Sequence, residues 1–583
     1  MAKSEGISTP WPKPAAGGSL KLPRPNAMVT LATVPALIIL GLLILTVVVS
    51  LQRGTTDGRL TLEHYVSLYT DSSAYQAMLN TLGFGAVTLL VSMFFGLPMA
   101  WLVERTDLGA KSLMYAIMTV GVLIPGFFTA MGWLFLLHPR IGLVNQLLMK
   151  VGGRRLGPLS ILSVAGMGWV QGLGLTALVF VMASTSLRSM DSSLEESAQA
   201  SGAGFLTTMR RVTLPLAFPG ILAAALYVVP IAFSAADIPL IIGLSARILT
   251  FSTYVYTSTD PVAGLPEYGK PAAFSVLMIA LALALSWWYS RTIRQARRYQ
   301  VVTGRSYRPR LVGLGRWKPL AWAFLASWIL LAVVLPLLLV IWAALLPYFQ
   351  APSLAALKQL SLNNLTGLPW PLVLRGLRNT AILAAAAPTL ALAWSLVFSW
   401  VVLRWGRRFR LAYDYVAFLP HAVPGIIFAL GALLAALFVV RWPVDLYGSL
   451  GLILVVYVVT QIAFGTRMTN SGLVQIHLEL EEAAHASGAG TADVLRRVTV
   501  PLLKPTLAYA WLWMALFTFR ELAIATLLYS PGSITLPVVV WSIFDGGNIP
   551  QASAVSLVMM ALLVPLVLLY MRIGGGLQPE EPR

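Results

Sequence analysis

Cysteine is absent from this 583-residue chain, which excludes disulfides, thiolate metal sites and cysteine nucleophiles. Charge is scarce: Asp, Glu, Lys and Arg make up 11% of the residues, against about 25% in soluble domains. The five histidines (His64, His138, His421, His477, His485) are scattered without ligand-like spacing, so no metal site is expected. A phosphate-binding GxxxxGK[ST] loop is also missing. The nearest fragment, LGAKS at 108–112, lacks the glycine–lysine order, so no ATPase site or cofactor is expected in this chain.

What is present is apolar length. The chain is 58% hydrophobic with a mean hydropathy of +0.78, and runs of the roughly 20 residues that cross a bilayer as helix recur throughout. The first, at 27–51, carries no charge, is preceded by a polar segment and is followed by no small-x-small cleavage pattern; it reads as a retained span. Twelve spans are expected, near 28–51, 77–103, 112–137, 161–187, 216–238, 272–290, 319–347, 379–403, 411–440, 447–466, 502–525 and 553–571. The fold class is therefore an all-α polytopic membrane protein.

The basic residues set an orientation. Most of the 41 Lys and Arg fall in 104–111, 188–215, 291–318, 404–410, 467–501 and the two tails, which places those segments in the cytoplasm. The stretch 291–318 holds nine basic residues and no acid; it reads as a linker beside anionic lipid headgroups, not as a nucleic-acid site.

The chain repeats itself. Asn80-Thr81 returns as Asn379-Thr380, Trp101 as Trp400, and PGFFTAMG (125–132) as PGIIFALG (424–431), all at an offset of 299. EESAQASGAG (195–204) then returns as EEAAHASGAG (481–490), and RRVTLP (210–215) as RRVTVP (496–501), at an offset of 286. Two parallel six-helix units are expected, 28–290 with loop 188–215 and 319–571 with loop 467–501. Segment 291–318 joins them, and 1–27 and 572–583 form tails. Parallel repeats are a known transporter plan.

Each decapeptide reads as a polar elbow. Ser192 with Glu195, or Ser193 with Glu196, offers a capping box for the first one. Gly202 and Gly488 suit the left-handed residue that stops a helix. A second short helix is expected to lead to Pro215 or Pro501, where the next span starts.

The pattern E-[AS]-A-x-x-x-G-A, closed by a hydrophobic-Pro ending, resembles the EAA loop of binding-protein-dependent ABC importer permeases. The matching residues are Glu196, Ala198, Gly202, Ala203 and Leu214-Pro215, then Glu482, Ala484, Gly488, Ala489 and Val500-Pro501, with Glu195 and Glu481 alongside. This resemblance implies a type I importer permease fold in a bacterial inner membrane. It implies coupling helices gripped by a homodimer of ABC ATPase subunits that bind ATP and Mg²⁺, and an extracytoplasmic binding protein that delivers substrate. FSAADIPLIIG (233–243) and FRELAIATLLYSPG (519–532) look most like fused permeases of the ferric-iron group. Permeases for aminoethylphosphonate, thiamine, polyamines, sulfate and molybdate share the framework.

Three charges fall in or near spans, and charge at membrane depth is functional by default. Arg520 is expected toward the outer end of its helix, paired with a carboxylate and bracing a gate; direct contact with substrate is the alternative. Glu521 accompanies it, and Asp237 belongs to the pathway or to the outer interface. Pro125-Gly126 and Pro424-Gly425 are expected to break helices beside the pathway. A gradient-driven transporter would lack a reason for two elbows, and the GxxxDRxGRR loop of one such class is replaced by VERTDLGAK. A membrane-embedded enzyme would need a clustered polar set on the spans, which the sequence does not offer.

Overall fold

The computed structural model describes residues 26–52, 59–109, 111–152, 159–188, 190, 193–260, 266–296, 311–404, 407–440 and 446–575. The tails and residues 297–310 of the basic segment lie outside that set. Among the described residues the chain is helical, with two isolated bridges and no strand. In a bilayer every backbone group must be satisfied internally, and helices meet that demand.

The first unit comprises α1 (Asn26–Ser50), α2 (Ser72–Arg105), α3 (Lys111–Leu123), α4 (Gly126–Leu137) and α5 (Val164–Arg188). It continues through α6 (Ser193–Ala200), α7 (Phe205–Ser234), α8 (Phe251–Thr259) and α9 (Gly269–Ala296). The second unit repeats this order as α10 (Gly315–Ala344), α11 (Trp370–Arg404), α12 (Arg407–Ala422), α13 (Gly425–Val439) and α14 (Leu450–Gln475). It ends with α15 (Leu478–Ala486), α16 (Thr491–Arg520), α17 (Leu536–Asp545) and α18 (Ile549–Gly575). Among the described residues ten helices are long and apolar enough to cross a membrane, or twelve if each of two bent pairs counts as one span.

Those bent pairs are α3–α4, turning by 90°, and α12–α13, turning by 101°. The turns fall at the two Pro-Gly dipeptides, Pro125-Gly126 and Pro424-Gly425, with the prolines as extended N-caps. Proline lacks the donor that would continue the helix, and its ring clashes with the preceding turn. The expected spans at 112–137 and 411–440 are thus each two helices, broken at the Pro-Gly dipeptides.

Helices α2 and α5 pack closely, as do α11 and α14. Small residues permit it: a Cβ on Gly172 would stand 2.5 Å from Val91 Cβ, and one on Gly465 would stand 2.3 Å from Ser395 Oγ. Where lipid and Leu are equally apolar, close backbone approach and dispersion hold spans together.

The units also exchange their first spans. Helix α1 packs on α11 and α13 of the second unit as well as on its own α9; α10 packs on α4 of the first unit as well as on α18. The last glycine of each PGxxxAxG motif makes that crossing possible. A Cβ on Gly132 would lie 2.4 Å from Pro336 Cα, and one on Gly431 would lie 2.5 Å from the Leu42 carbonyl.

The basic segment ends in a strap on the first unit. Val312 N–H donates to the Arg105 carbonyl at 2.9 Å, and Asp107 N–H donates to the Val312 carbonyl at 3.2 Å. The Asp107 carboxylate accepts from Leu314 N–H at 2.9 Å and pairs with Lys318 at 2.8 Å. The Leu314 amide and then the Lys318 ammonium hold the Asp107 carboxyl below its ordinary value. A carboxyl lowered by folding stabilises the strap above its unfolded pKa, and the contribution is lost as pH falls through the lowered value. A nitroxide on Gly313→Cys, unique in this cysteine-free chain, is expected to gain mobility below about pH 4. Asp107→Asn is expected to produce that mobility at neutral pH.

Candidate functional site: two elbows and a broken-helix centre

Each elbow is stopped in the same way. Gly202 has φ +85° and Gly488 φ +87°, a region in which a Cβ crowds the next carbonyl. Gly202 N–H donates to the Gln199 carbonyl at 2.9 Å and Ala203 N–H to Ala198 at 3.0 Å; Gly488 donates to His485 at 2.9 Å and Ala489 to Ala484 at 3.1 Å. These bonds form the Schellman stop, so Ala198, Gly202 and Ala203, with their second-unit equivalents, supply the backbone of one turn. In the second elbow the His485 ring adds a bond to the Ala489 carbonyl at 3.0 Å. Ser192 and the Ser193 side chain lie outside the described residues, and so does the capping box.

The expected second short helix is instead the leading end of a long one. Helices α7 and α16 run unbroken from Phe205 and Thr491 through one π-turn each, at Met209–Thr213 and Leu495–Thr499. Pro215 and Pro501 sit in the first turn after the π-turn, where the bonding shift leaves no donor missing. The elbow is therefore one short helix and a turn, fused to a rigid rod.

The paired glutamates divide. Glu481 is buried and takes a two-pronged contact from Arg404, Nε to Oε2 and Nη2 to Oε1, both 3.1 Å. In the first unit Arg105 Nη1 stands 3.6 Å from Glu195 Oε2, Thr213 donates to Glu195 Oε1 at 2.7 Å, and Arg105 Nη2 holds the Leu187 carbonyl at 2.9 Å. Arg105 and Arg404 keep the 299 offset and end α2 and α11. Each elbow is thus clamped to its own unit by the inner glutamate. Glu482 faces outward, and Glu196 is half-buried. A Cβ on Gly202 or Gly488 meets nothing within 4 Å, so this chain leaves both stops open to the outside.

Sequence reasoning missed the clamping arginines, although their offset matched. It also missed Glu104, a buried carboxylate that gathers Arg188 at 2.9 Å, Lys111 at 3.1 Å and the Tyr115 hydroxyl at 2.7 Å. The second unit has Leu403 there, so no repeat pointed to it. The repeated Asn-Thr pair, read only as a marker, ties down the helices of the opposite side. Thr81 accepts from Phe251 N–H and Thr380 from Leu536 N–H, both at 2.8 Å. Asn80 holds the Leu249 carbonyl at 2.9 Å, and Asn379 the Ile534 carbonyl at 2.9 Å.

The three charges meet at the first break. Arg520, the last residue of α16, donates through Nη1 to the carbonyls of Val122 at 2.6 Å and Ile124 at 3.0 Å. These are orphan carbonyls where α3 stops, at the negative end of its dipole. Among the described residues no carboxylate lies within ion-pair distance of Arg520, so the expected carboxylate partner is replaced by the backbone of the other unit. The guanidinium also stands 4.4 Å from the Phe517 ring. The break comes about 20 Å along from the start of α3, and Arg520 meets it from the C-terminal end of α16. Asp237 packs on Gly126, where an added Cβ would stand 3.1 Å from its Oδ2. Glu521 accepts from Ile524 N–H at 3.0 Å. At the second break the equivalent neighbour of Gly425 is Ile524, so this charge cluster has no second copy.

A polytopic bundle of two copies, each with a broken third span and a glycine-stopped elbow, matches one family model twice. The model is described as the binding-protein-dependent transport system inner membrane component, and it covers residues 92–298 and 391–580. The chain belongs to that family. As a permease of this family it is similar to several bacterial proteins. It is 29% identical over 37% of its length to 78% of the "Putative 2-aminoethylphosphonate transport system permease protein PhnV" of Salmonella paratyphi A. It is 25% identical over 70% of its length to 72% of the "Probable ABC transporter permease protein y4fN" of Sinorhizobium fredii. It is 24% identical over 33% of its length to 37% of the "Fe(3+)-transport system permease protein FbpB 2" of Haemophilus influenzae. Among solved structures, a bacterial ABC transporter importing the polysaccharide alginate covers 43% of this chain and 86% of its own, at 20% identity and a TM-score of 0.32.

The open stops carry a prediction. The double variant Gly202→Asp/Gly488→Asp strains each stop by about 1–2 kcal/mol but meets no clash, since an added Cβ has nothing within 4 Å. It is nevertheless expected to abolish coupled uptake by placing charge on the outward face, more severely than Glu196→Ala or Glu482→Ala. Normal uptake with normal membrane insertion would count against the elbows as contact points.

Proposed function

We propose that this chain is the fused membrane permease of an ATP-driven importer, working by alternating access. The elbows α6 and α15 each seat in one subunit of an ATPase homodimer that binds ATP and Mg²⁺. A binding protein delivers substrate on the opposite face. Both chain ends and both elbows are cytoplasmic, and the membrane is the bacterial inner membrane.

The observation that carries this reading is the repeated clamp. Each elbow is tied by an Arg–carboxylate contact to the end of the second span and is continuous, through a π-turn, with the fifth. A push on the elbow therefore moves two spans of its unit as one body. As ATP draws the subunits together, the bodies rock, and the Arg520 contact between them at the first break is made or released. The exchanged first spans, α1 and α10, bridge the bodies and keep them in register.

For the substrate we propose ferric iron, on the likeness of 519–532 to the ferric-iron group. The second reading, 2-aminoethylphosphonate, is favoured by the 29% identity to a permease carrying that name. The test is co-purification of an ATPase with the chain, followed by ATP-dependent uptake into proteoliposomes. Labelled ferric iron, 2-aminoethylphosphonate and thiamine are each supplied with their binding proteins. No stable ATPase partner, or labelling of Glu482→Cys only from outside, would overturn the coupling role. Uptake of the phosphonate without iron would overturn the first substrate reading alone.

A further inference from the structure

We propose that residues 311–318 are a coupling strap: through Asp107 and Arg105 they fasten the first elbow to α10, so that this one elbow moves parts of both units. Asp107 and Val312 are then positioning residues for the elbow, a role that rests on the permease reading.

Glu104 to Asp107, at the end of α2, gather four elements. The Glu104 carboxylate holds Lys111 at the start of α3 and Arg188 at the end of α5. Arg105 reaches the elbow and its stem. Its Nη2 donates to the Leu187 carbonyl at 2.9 Å and the Met190 carbonyl at 3.4 Å, and its Nη1 stands 3.6 Å from Glu195. The Arg105 carbonyl accepts from Val312 N–H, Thr106 pairs with Val312 as a parallel bridge, and Asp107 holds Leu314 and Lys318. Lys318 already belongs to α10, which packs on α4 of the first unit and α18 of the second. The elbow and a helix shared by both units thus meet on the same few residues.

A tether resting on the surface would not need this fit. A surface ion pair contributes little by itself, but here main-chain bonds run in both directions and fix the register. The first clamp is also incomplete without the strap. Arg404 grips Glu481 with two bonds of 3.1 Å, whereas Arg105 stands 3.6 Å from Glu195 and its buried Nε finds no acceptor among the described residues. A guanidinium without a two-pronged partner is less fixed in direction; the strap bonds the carbonyl of that same arginine. At the offset of 299, Glu104 corresponds to Leu403 and Asp107 to Gly406, so the second clamp, closed by its own carboxylate, has neither anchor. The two elbows are therefore unequal: the first is tied to both units.

The test reads distances in the full chain in detergent without ATPase, and transport separately. The chain has no cysteine, so nitroxide pairs can be placed at Ser201→Cys with Leu320→Cys, from the first elbow to α10, and at Ser487→Cys with Leu320→Cys for the second elbow. All three positions are exposed. A narrow first-elbow distribution is expected. Adding Asp107→Ala/Val312→Pro, in which proline removes the Val312 donor, is expected to widen it at least two-fold and to leave the second-elbow width unchanged. In proteoliposomes with the co-purified ATPase, uptake is followed for whichever of labelled ferric iron, 2-aminoethylphosphonate and thiamine the wild type imports. The strap variant is expected to lose that uptake at least five-fold while ATP hydrolysis continues, and Asp107→Glu to keep most of it. Joining Asp107→Cys to Lys318→Cys with a short bismaleimide is expected to restore the uptake lost by the unjoined pair. Equal widths with and without the strap, equal widening at both elbows, or undiminished uptake in the strap variant would overturn the proposal. A wild type without ATP-driven uptake would overturn the permease reading instead, and the distances alone would then decide whether the strap holds the elbow.

Discussion

Arg404→Ala is expected to destabilise the second unit by about 3–5 kcal/mol, the cost of leaving a buried carboxylate without its partner. Glu481 is 5% exposed, and Arg404 donates to both of its carboxylate oxygens. Removing the guanidinium therefore strands a charge between α11 and α15. Pairing the variant with Glu481→Leu is expected to restore most of the melting temperature, since an apolar replacement of both partners is often neutral. Restored stability without restored uptake would separate the clamp's mechanical part from its structural one. The first-unit counterpart, Glu195→Ala, is expected to cost less. Its contact with Arg105 is longer, at 3.6 Å, and Arg105 keeps the Leu187 carbonyl when the carboxylate is gone. Equal losses in melting temperature for Glu195→Ala and Glu481→Ala would contradict this ordering.

Arg520→Ala is expected to lower ATP-driven uptake by at least ten-fold while leaving insertion intact. The variant removes the donor for two helix-end carbonyls, at about 1–3 kcal/mol for each buried group left unmade. It also removes, among the described residues, the only cation acting on Asp237 and Glu521. Because the bonds run from one unit to the other, the loss falls on the contact between the units and not on either unit alone. Arg520→Lys keeps the charge but must reach both carbonyls from one ammonium, so partial recovery is expected. Adding Asp237→Asn to Arg520→Ala is expected to recover protein yield without recovering uptake. Wild-type uptake by Arg520→Ala would remove this contact from the transport cycle.

Much of the architecture could be read from the chain, and for a plain reason. Membrane spans announce themselves by length and hydropathy, and a duplicated unit announces itself by self-similarity. Both are local properties of sequence. The two glycine stops were legible too, because a left-handed residue after a helix leaves few choices. So were the breaks at Pro125-Gly126 and Pro424-Gly425, where a missing donor is visible in one dimension.

Other features depend on partners far along the chain. The Arg520 bonds reach almost 400 residues back, to Val122 and Ile124; the sequence marked the charge as costly but suggested a carboxylate for it. The glutamate pairs looked equivalent until burial separated Glu481 from Glu482. The continuity of α7 and α16 past Pro215 and Pro501 was hidden because a proline ordinarily marks a helix start or break, and the π-turn ahead of each one shows only in the folded backbone.

By itself the sequence determined a membrane-spanning, duplicated, cysteine-free chain with two glycine-stopped elbows, since hydrophobic run length, repeat offset and backbone chirality act on neighbouring residues. Only the tertiary structure decided which glutamate clamps, which carbonyls Arg520 holds and how the first spans cross between units. Those outcomes follow from which side chains and backbones come within a few ångströms when the helices pack, and no run of adjacent residues carries that distance.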